Sequence, residues 1–284
     1  YQNFIDQGFI DLRVFSNYGI ILRDLGNLQK AEVYTRKAIE LNPNFANAHS
    51  NLGIILRDLG KLQEAEISYR KAIELDSNFA NAYFNLGNVL KDLGKLQEAE
   101  IYMRKVIELN PNFANAYSNL GNILKDLGNL QEAEVYTRKA FELNPNFVEA
   151  YSNLGVILRD LGKFQEAEIY MRKAIELSPS FAEAHSNLGG ILRDLGKLQE
   201  AELSYLRTIE LNTDHSNAFF ALSGMASIFI SYKLTVKFNR FLLKHLKSND
   251  DSKVEEIRWW GCVPPVITWT EQEFIDLDNW YSNQ

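Results

Sequence analysis

The sequence predicts an all-α protein built from stacked helix pairs, an α-solenoid, with a capping extension at its C-terminal end. The first observation is a 34-residue period, because the tripeptide Asn-Leu-Gly begins at residues 51, 85, 119, 153 and 187. The second is that apolar residues recur within each period at three- and four-residue spacing, in two blocks typical of amphipathic helices. The third is that glycine or proline follows these blocks, where a helix ends.

The period divides the 284 residues into four parts. Residues 1–11 match the end of an earlier repeat, and the start at Tyr1 indicates a native chain that is longer at that end. Residues 216–247 match a degenerate repeat, whose helices would cover the last apolar face of the array. Residues 248–284 form an aromatic-rich extension that holds all four tryptophans. The six whole repeats span residues 12–45, 46–79, 80–113, 114–147, 148–181 and 182–215.

Residues 46–79 illustrate the two helices of one repeat, named here helix A and helix B. Gly60 follows helix A, and we expect it in the left-handed conformation that ends a helix. Helix B begins near Leu62. Gly53 in helix A and Ala65 in helix B are small, which indicates that the two helices approach closely there.

Prolines mark the ends of four B helices. Because proline pushes the residue before it out of the helical conformation, we expect each helix to stop at that residue. The stop positions are Asn42, Asn110, Asn144 and Ser178. Asn44 and its equivalents are the expected N-caps of the next A helices, because an asparagine side chain can accept a hydrogen bond from a free backbone N–H.

Composition and charge exclude several classes of function. A net charge of −7 is unsuited to nucleic-acid binding, which needs a basic face. The single cysteine, Cys262, excludes an intramolecular disulfide framework and a cysteine-based metal site, and the four histidines lack a metal-binding spacing. Because no nucleophile motif or phosphate loop is present, we expect no enzymatic activity, no cofactor, no metal and no catalytic residue.

Membrane insertion is also excluded by the pattern of charges. The apolar part of the longest uncharged run, from Ala218 to Tyr232, has about 15 residues, whereas a spanning helix needs about 20. We therefore expect a cytoplasmic protein. A targeting signal before Tyr1 stays open, because the chain does not begin with methionine.

The repeat resembles the tetratricopeptide repeat over residues 1–215. The shared residues are leucine and glycine at positions 7 and 8, leucine at 11, alanine at 20 and 27, and proline at 32 of the repeat. The resemblance implies a right-handed superhelix of helix-turn-helix units with the A helices on its concave side. It also implies a non-enzymatic scaffold for protein–protein interaction. His49 and His185 stand where the family has an aromatic residue, and we interpret them as packing residues.

Helix A carries a polar face along the expected concave groove. Positions 2, 6, 9 and 13 are three or four residues apart and therefore share one side of the helix. Position 6 is asparagine in every repeat, and position 9 adds two asparagines. A carboxamide both donates and accepts hydrogen bonds, so it can pair with the backbone of a passing peptide. The predicted peptide-binding residues are Asn17, Asn51, Asn85, Asn119, Asn153, Asn187, Asn88 and Asn122.

The partner expected from this asparagine ladder is a protein or peptide in extended conformation. A helices about 10 Å apart would each meet roughly every third residue of a chain that advances about 3.3 Å per residue. Six repeats would then hold on the order of 15–18 residues. Glu149 and Glu183 at position 2 would favour basic residues in the later part of the groove. The adjacent basic residue and aspartate at positions 12 and 13 are interpreted as a solvated rim.

A second resemblance concerns residues Tyr117–Lys125, which are similar to the tetratricopeptide arm of O-linked N-acetylglucosamine transferases. In that family an asparagine at position 6 of successive A helices holds the backbone of the substrate polypeptide, which implies the same role here. No catalytic domain is visible in the 284 residues. The co-chaperone carboxylate clamp is a poorer match, because it requires lysine at position 5 and arginine at position 6.

Three alternatives stay open at this point. The position-6 asparagines could bond only to a neighbouring helix, since duplication copies every residue of a repeat. The chain could be the substrate-recruiting arm of a larger, glycosyltransferase-like enzyme. It could also self-associate weakly, through its aromatic tail or its first helix.

Overall fold

The computed structural model describes residues 11–228, which form thirteen α-helices and no strand. The predictions for residues 1–10 and 229–284, which include most of the capping segment and the tryptophan-rich extension, lie outside the described residues. The helices are α1 (Leu12–Asp24), α2 (Leu28–Leu41), α3 (Ala46–Asp58), α4 (Leu62–Leu75), α5 (Ala80–Asp92), α6 (Leu96–Leu109), α7 (Ala114–Asp126), α8 (Leu130–Leu143), α9 (Val148–Asp160), α10 (Phe164–Leu177), α11 (Ala182–Asp194), α12 (Leu198–Leu211) and α13 (Ser216–Ile228).

Odd-numbered helices are the A helices and even-numbered helices are the B helices. The chain forms two compact units, with the division between Ile157 and Leu158. From α1 to α8, each A helix packs against the B helix of its own repeat, and each B helix packs against the next A helix. Successive A helices α1, α3, α5 and α7 also contact one another. In the second unit, α10, α11, α12 and α13 pack in the same sequential manner. The predicted all-α fold of consecutive helix pairs is confirmed.

The core is built from the positions that recur every three or four residues. In the second to sixth repeats, positions 3, 7, 10 and 11 of helix A are buried, together with positions 20 and 27 of helix B, which are alanine except at Val106 and Thr208. The alanines let the helices approach closely, while each buried leucine or isoleucine stabilises the fold by about 1.5–3 kcal/mol. In the fourth repeat, the apolar side chains without any exposed surface are those of Ala116, Leu120, Ile123, Leu124, Ala133 and Ala140.

Glycine at position 8 is required by the side chain that faces it from helix B. A Cβ atom at Gly53 would lie 2.6 Å from Cε1 of Tyr69, whose ring is only 1% exposed. Burial of that ring raises the pKa of the Tyr69 hydroxyl. A Cβ atom at Gly121 would lie 2.1 Å from Oγ1 of Thr137. The close approach predicted from the small residues is therefore present, whichever side chain occupies position 24.

The helix ends agree with the sequence in two respects and differ in a third. Gly60 has φ +74°, and the glycines at this position have φ between 74° and 83° in all six repeats. The first B helix stops at its C-cap Asn42, as the following proline predicted. The prediction that Asn44 caps the next helix is wrong, because the N-cap is Phe45 and makes no side-chain capping bond. Asn44 lies one residue too early, and its backbone N–H donates to Oδ1 of Asn42 at 3.0 Å in a turn.

Ion pairs join the outer sides of successive B helices. Glu66 accepts hydrogen bonds from Arg70 on its own helix and from Lys95 before the next B helix, each at 2.8 Å. Arg70 also donates to Glu98 at 2.6 Å and to the hydroxyl of Tyr102 at 2.7 Å, both on α6. Because the Glu66 side chain is only 12% exposed, water screens these contacts less than it screens an ordinary surface pair.

We expect the substitution Glu66→Gln to lower the free energy of unfolding by about 1–2 kcal/mol at neutral pH, since it removes the carboxylate charge to which both Arg70 and Lys95 are bonded. Burial alone would raise the pKa of Glu66, but the bonds from Lys95 and Arg70 outweigh it and hold the pKa below the ordinary glutamate value. The lowered pKa means that the stabilisation is present above the ordinary glutamate pKa and is lost as the pH falls through the lower, folded-state value.

Urea unfolding, carried out from neutral pH down to below the folded-state pKa of Glu66, measures this loss of stability. Glu74→Gln is the matched control, because Glu74 pairs with Lys71 but its side chain is 68% exposed, and we expect a change below about 0.5 kcal/mol there. If Glu66→Gln costs no more than Glu74→Gln at neutral pH, the pairing between B helices does not stabilise the stack.

Candidate functional site

The predicted binding residues all lie on the polar face of the A helices, here called the A-helix face. Asn17 is exposed, and the other position-6 asparagines are half-buried. Asn88 and Asn122 at position 9 are also half-buried, on α5 and α7. The first compact unit holds all of these residues except Asn187, which occupies the same repeat position on α11 in the second unit.

Two of the asparagines are tied to the preceding repeat by a serine at position 5. Nδ2 of Asn51 donates to Oγ of Ser16 at 3.0 Å. Nδ2 of Asn153 donates to Oγ of Ser118 at 3.1 Å. Each bond uses one of the two N–H groups of the carboxamide and leaves the oxygen uncommitted. The bonding to a neighbouring helix that the sequence left open therefore exists, and it occupies only part of each side chain.

The third repeat departs from this pattern. Its position 5 is Phe84, whose ring lies 4.8 Å from the ring of Phe113 and offers no hydroxyl group. Nδ2 of Asn119 in the next repeat donates instead to Oδ1 of Asn88 at 2.7 Å. The serines at position 5 and this exchange were not identified as site residues from the sequence, although the recurrence of serine at one position was a usable signal.

The remaining carboxamides are unengaged. Within residues 11–228, no hydrogen-bond partner is found for the side chains of Asn17, Asn85, Asn122 and Asn187. The A-helix face thus offers complete donor and acceptor pairs at several steps along the repeats, interspersed with carboxamides whose orientation is fixed by a neighbouring helix.

Ion pairs border this face, and they run between repeats. Nε of Arg23 on α1 donates to Asp58 on α3 at 2.5 Å, and this hydrogen bond raises the pKa of Arg23. Nη2 of Arg57 lies 3.2 Å from Asp92 of the following repeat. Partial exposure keeps the energy of each pair small, at about 0–1 kcal/mol. These pairs are the rim predicted from positions 12 and 13.

The histidines at position 4 contact the backbone of the preceding turn. Nε2 of His49 lies 2.9 Å from the carbonyl oxygen of Pro43, and the equivalent distance from His185 to Pro179 is 3.0 Å. These contacts support their interpretation as packing residues. Glu149 and Glu183 at position 2 are exposed, as a residue that meets a ligand must be.

Neither a metal-binding cluster nor a membrane-spanning helix is found among the described residues. Residues 11–228 contain no group of three or more histidine, cysteine, aspartate or glutamate residues that could hold a metal ion. None of the described helices combines the length and the apolar character needed to cross a bilayer.

Family models described as "TPR repeat" or "Tetratricopeptide repeat" match the chain without a gap from residue 13 to residue 215. The chain belongs to the tetratricopeptide-repeat family. The matched ranges are 13–45, 34–67, 53–94, 80–113, 114–147, 148–181 and 170–215. No curated protein sequence matches this tetratricopeptide protein.

Solved structures of other tetratricopeptide proteins are similar to this one. YrrB, described as having an unusual peptide-binding site, is 30% identical with a TM-score of 0.53; the match covers 66% of this chain and 96% of YrrB. MamA is 27% identical with a TM-score of 0.54, and the match covers 61% of this chain and 94% of MamA. PilF from Pseudomonas aeruginosa is 22% identical with a TM-score of 0.64, and the match covers 73% of this chain and 94% of PilF. At this identity, the similarity supports the fold alone. Tetratricopeptide proteins mediate protein–protein interaction, and these relatives include one that binds peptide.

Proposed function

We propose that this tetratricopeptide protein is a non-enzymatic scaffold that binds an extended polypeptide through its main chain, along the A-helix face. The observation that carries the proposal is that asparagine side chains on that face have N–H and C=O groups without a hydrogen-bond partner among the described residues. Asn85 and Asn122 have no partner within the described residues, and Asn51 uses one N–H only. A peptide unit presents one N–H and one C=O, which a single carboxamide can satisfy together.

The bonds between repeats favour binding as well as stacking. A free asparagine side chain must lose rotamer freedom when it binds, and that loss weakens the association. The bonds from Asn51 to Ser16 and from Asn153 to Ser118 fix two of the carboxamides before any ligand arrives. The two kinds of asparagine therefore contribute differently to binding. The bonded carboxamides are already oriented before the peptide binds, and the free ones can both donate and accept a hydrogen bond.

Recognition of the main chain explains the chemistry of this face better than recognition of a chain terminus. The serines at position 5 and asparagines at position 6 are neutral, so these two positions lack the positive charges that would bind a terminal carboxylate. Affinity then accumulates over successive repeats and depends little on the partner's side chains. The peptide-binding site described for YrrB, a protein 30% identical, supports an extended polypeptide as the ligand.

Selection from a displayed library of random peptides about 15 residues long, roughly three residues for each of the five position-6 asparagines of the first compact unit, tests the proposal. The full chain is the target, and heteronuclear NMR of the complex then reports the asparagine side-chain amides. We expect the signals of Asn85 and Asn122 to shift on binding, and those of the turn residues Asn78 and Asn112 to stay unchanged. Failure to enrich any peptide, or shifts confined to the B helices, would contradict the proposal.

The same binding mode fits a second role, as the substrate-recruiting arm of a larger glycosyltransferase-like enzyme. The resemblance of Tyr117–Lys125 to the arm of O-linked N-acetylglucosamine transferases favours it, since this segment carries Asn119 and Asn122 on one face of α7. The surrounding reading frame distinguishes the roles, because a neighbouring catalytic domain supports the arm and its absence supports the adaptor. Weak self-association stays a separate prediction, which light scattering at several protein concentrations tests.

A further inference from the structure

The rim of ion pairs is interrupted in the third repeat. In the first two repeats, the arginine at position 12 pairs with the aspartate at position 13 of the next repeat. By this register Lys91 should pair with Asp126, but Asp126 lies 3.2 Å from Lys125 of its own repeat. Within the described part of the chain, the ammonium group of Lys91 has neither an ion-pair nor a hydrogen-bond partner. The half-buried Lys91 is therefore a positive charge without a counter-ion at the edge of the A-helix face.

Two asparagines share the side of the A helices on which Lys91 lies. Lys91 follows Asn88 by three residues on α5, so the two side chains lie on the same side of that helix. Asn88 is bonded to Asn119 on α7 at 2.7 Å. The A helices α5 and α7 contact each other. Three residues after the bonded pair Asn88–Asn119, α5 carries Lys91 and α7 carries Asn122. Asn122 has no partner among the described residues, so its N–H groups are free.

An ammonium group and free amide N–H groups on the same face form a set of donors that suits an anionic oxygen. A carboxylate accepts several hydrogen bonds at once, and a bond that involves charged groups is about twice as strong as a neutral one. The carboxamides alone would accept any peptide segment, so the charge of Lys91 adds a preference that the asparagine ladder lacks.

We infer that Lys91, together with Asn88 and Asn122, forms a subsite that selects a carboxylate side chain, aspartate or glutamate, in the bound polypeptide. The inference rests on the proposed function and names a side chain that the partner carries at this point of the face. A C-terminal carboxylate has the same chemistry, so the test uses peptides with blocked ends.

The test is selection from a displayed library of random, end-blocked peptides about 15 residues long, carried out in parallel against the full chain and two variants. Against the unchanged chain, we expect an acidic residue to be enriched at one position of the selected peptides. Replacing that residue by its amide in a selected peptide should weaken binding about fivefold in fluorescence anisotropy. In the variant Lys91→Gln, the enrichment and the fivefold difference should both disappear. Because Lys91 has no partner to lose, the melting temperature of this variant should be unchanged.

Arg23→Gln is the matched control, since it removes a positive charge at the same repeat position from a residue already paired with Asp58. We expect this variant to keep the acidic preference. Peptides enriched without an acidic residue, or an acidic preference that persists in Lys91→Gln, would overturn the subsite and leave main-chain binding intact. A second library with free C-termini is selected in parallel, and enrichment confined to that library would assign the carboxylate to the chain end and also overturn the subsite. If no peptide is enriched by any chain, the proposed function fails, and the subsite fails with it.

Discussion

Replacing Asn85, Asn119 and Asn153 together by alanine is expected to weaken peptide binding by at least about 100-fold and to leave the helical content unchanged. Each lost pairing of a carboxamide with a peptide unit costs about 1 kcal/mol or more of binding free energy. Three such losses add, so the corresponding factors in the dissociation constant multiply. The three residues are half-buried on neighbouring A helices of the first compact unit. Binding is measured by anisotropy with a selected fluorescent peptide, and helicity by circular dichroism.

A second triple variant controls for the number and type of residues changed. Asn78, Asn112 and Asn146 lie in the turns before α5, α7 and α9, where their side chains are exposed. Their backbone N–H groups hold the turn, and alanine keeps these groups. We expect this control to bind as the unchanged chain does. If the two triple variants bind equally well, the position-6 asparagines serve only to join helices, and the ladder is not the binding site.

Ile123→Ala is expected to lower the free energy of unfolding by about 3 kcal/mol, the largest stability effect proposed for this chain. Ile123 on α7 has no exposed surface, so its truncation leaves a cavity as well as losing buried apolar area. Ile101→Ala is the matched control, because Ile101 is also in a helix interior but is 66% exposed on the outer side of α6. We expect a change within about 0.5 kcal/mol there.

Urea unfolding followed by circular dichroism measures both variants. Equal effects would mean that the burial assigned to the A and B helices is wrong. The comparison also tests whether the aliphatic residue at position 22, which recurs in every repeat and of which Ile101 is one, contributes to stability. This residue is 63–68% exposed at Val33, Ile67, Ile101, Val135, Ile169 and Leu203.

Features that repeat within one helix pair could be predicted from the sequence. The left-handed Gly60 and the close contact at Gly53 follow from where small residues recur, because backbone conformation and helix contact are local constraints. The A-helix face followed from helical periodicity, which fixes the side of the helix on which each residue lies.

Features that depend on contacts between repeats could not be predicted in the same way. Lys91 and Lys125 both stand before Asp-Leu-Gly, yet only Lys125 pairs with an aspartate, its own neighbour Asp126, and the sequence around the two lysines does not distinguish them. The capping role expected for Asn44 was wrong because Asn42 uses its own side chain to hold the turn. The bond from Asn51 to Ser16 likewise joins residues of different repeats, which a pattern within one repeat does not relate.

The central claim is that the protein binds the main chain of its partner, and replacing amides by esters in a selected peptide tests it most directly. Each ester removes one backbone N–H and weakens one carbonyl acceptor while the side chains stay the same. Main-chain recognition predicts affinity losses at roughly every third residue, the spacing at which successive A helices meet an extended chain. Losses that follow side-chain truncation and ignore the ester positions would contradict it.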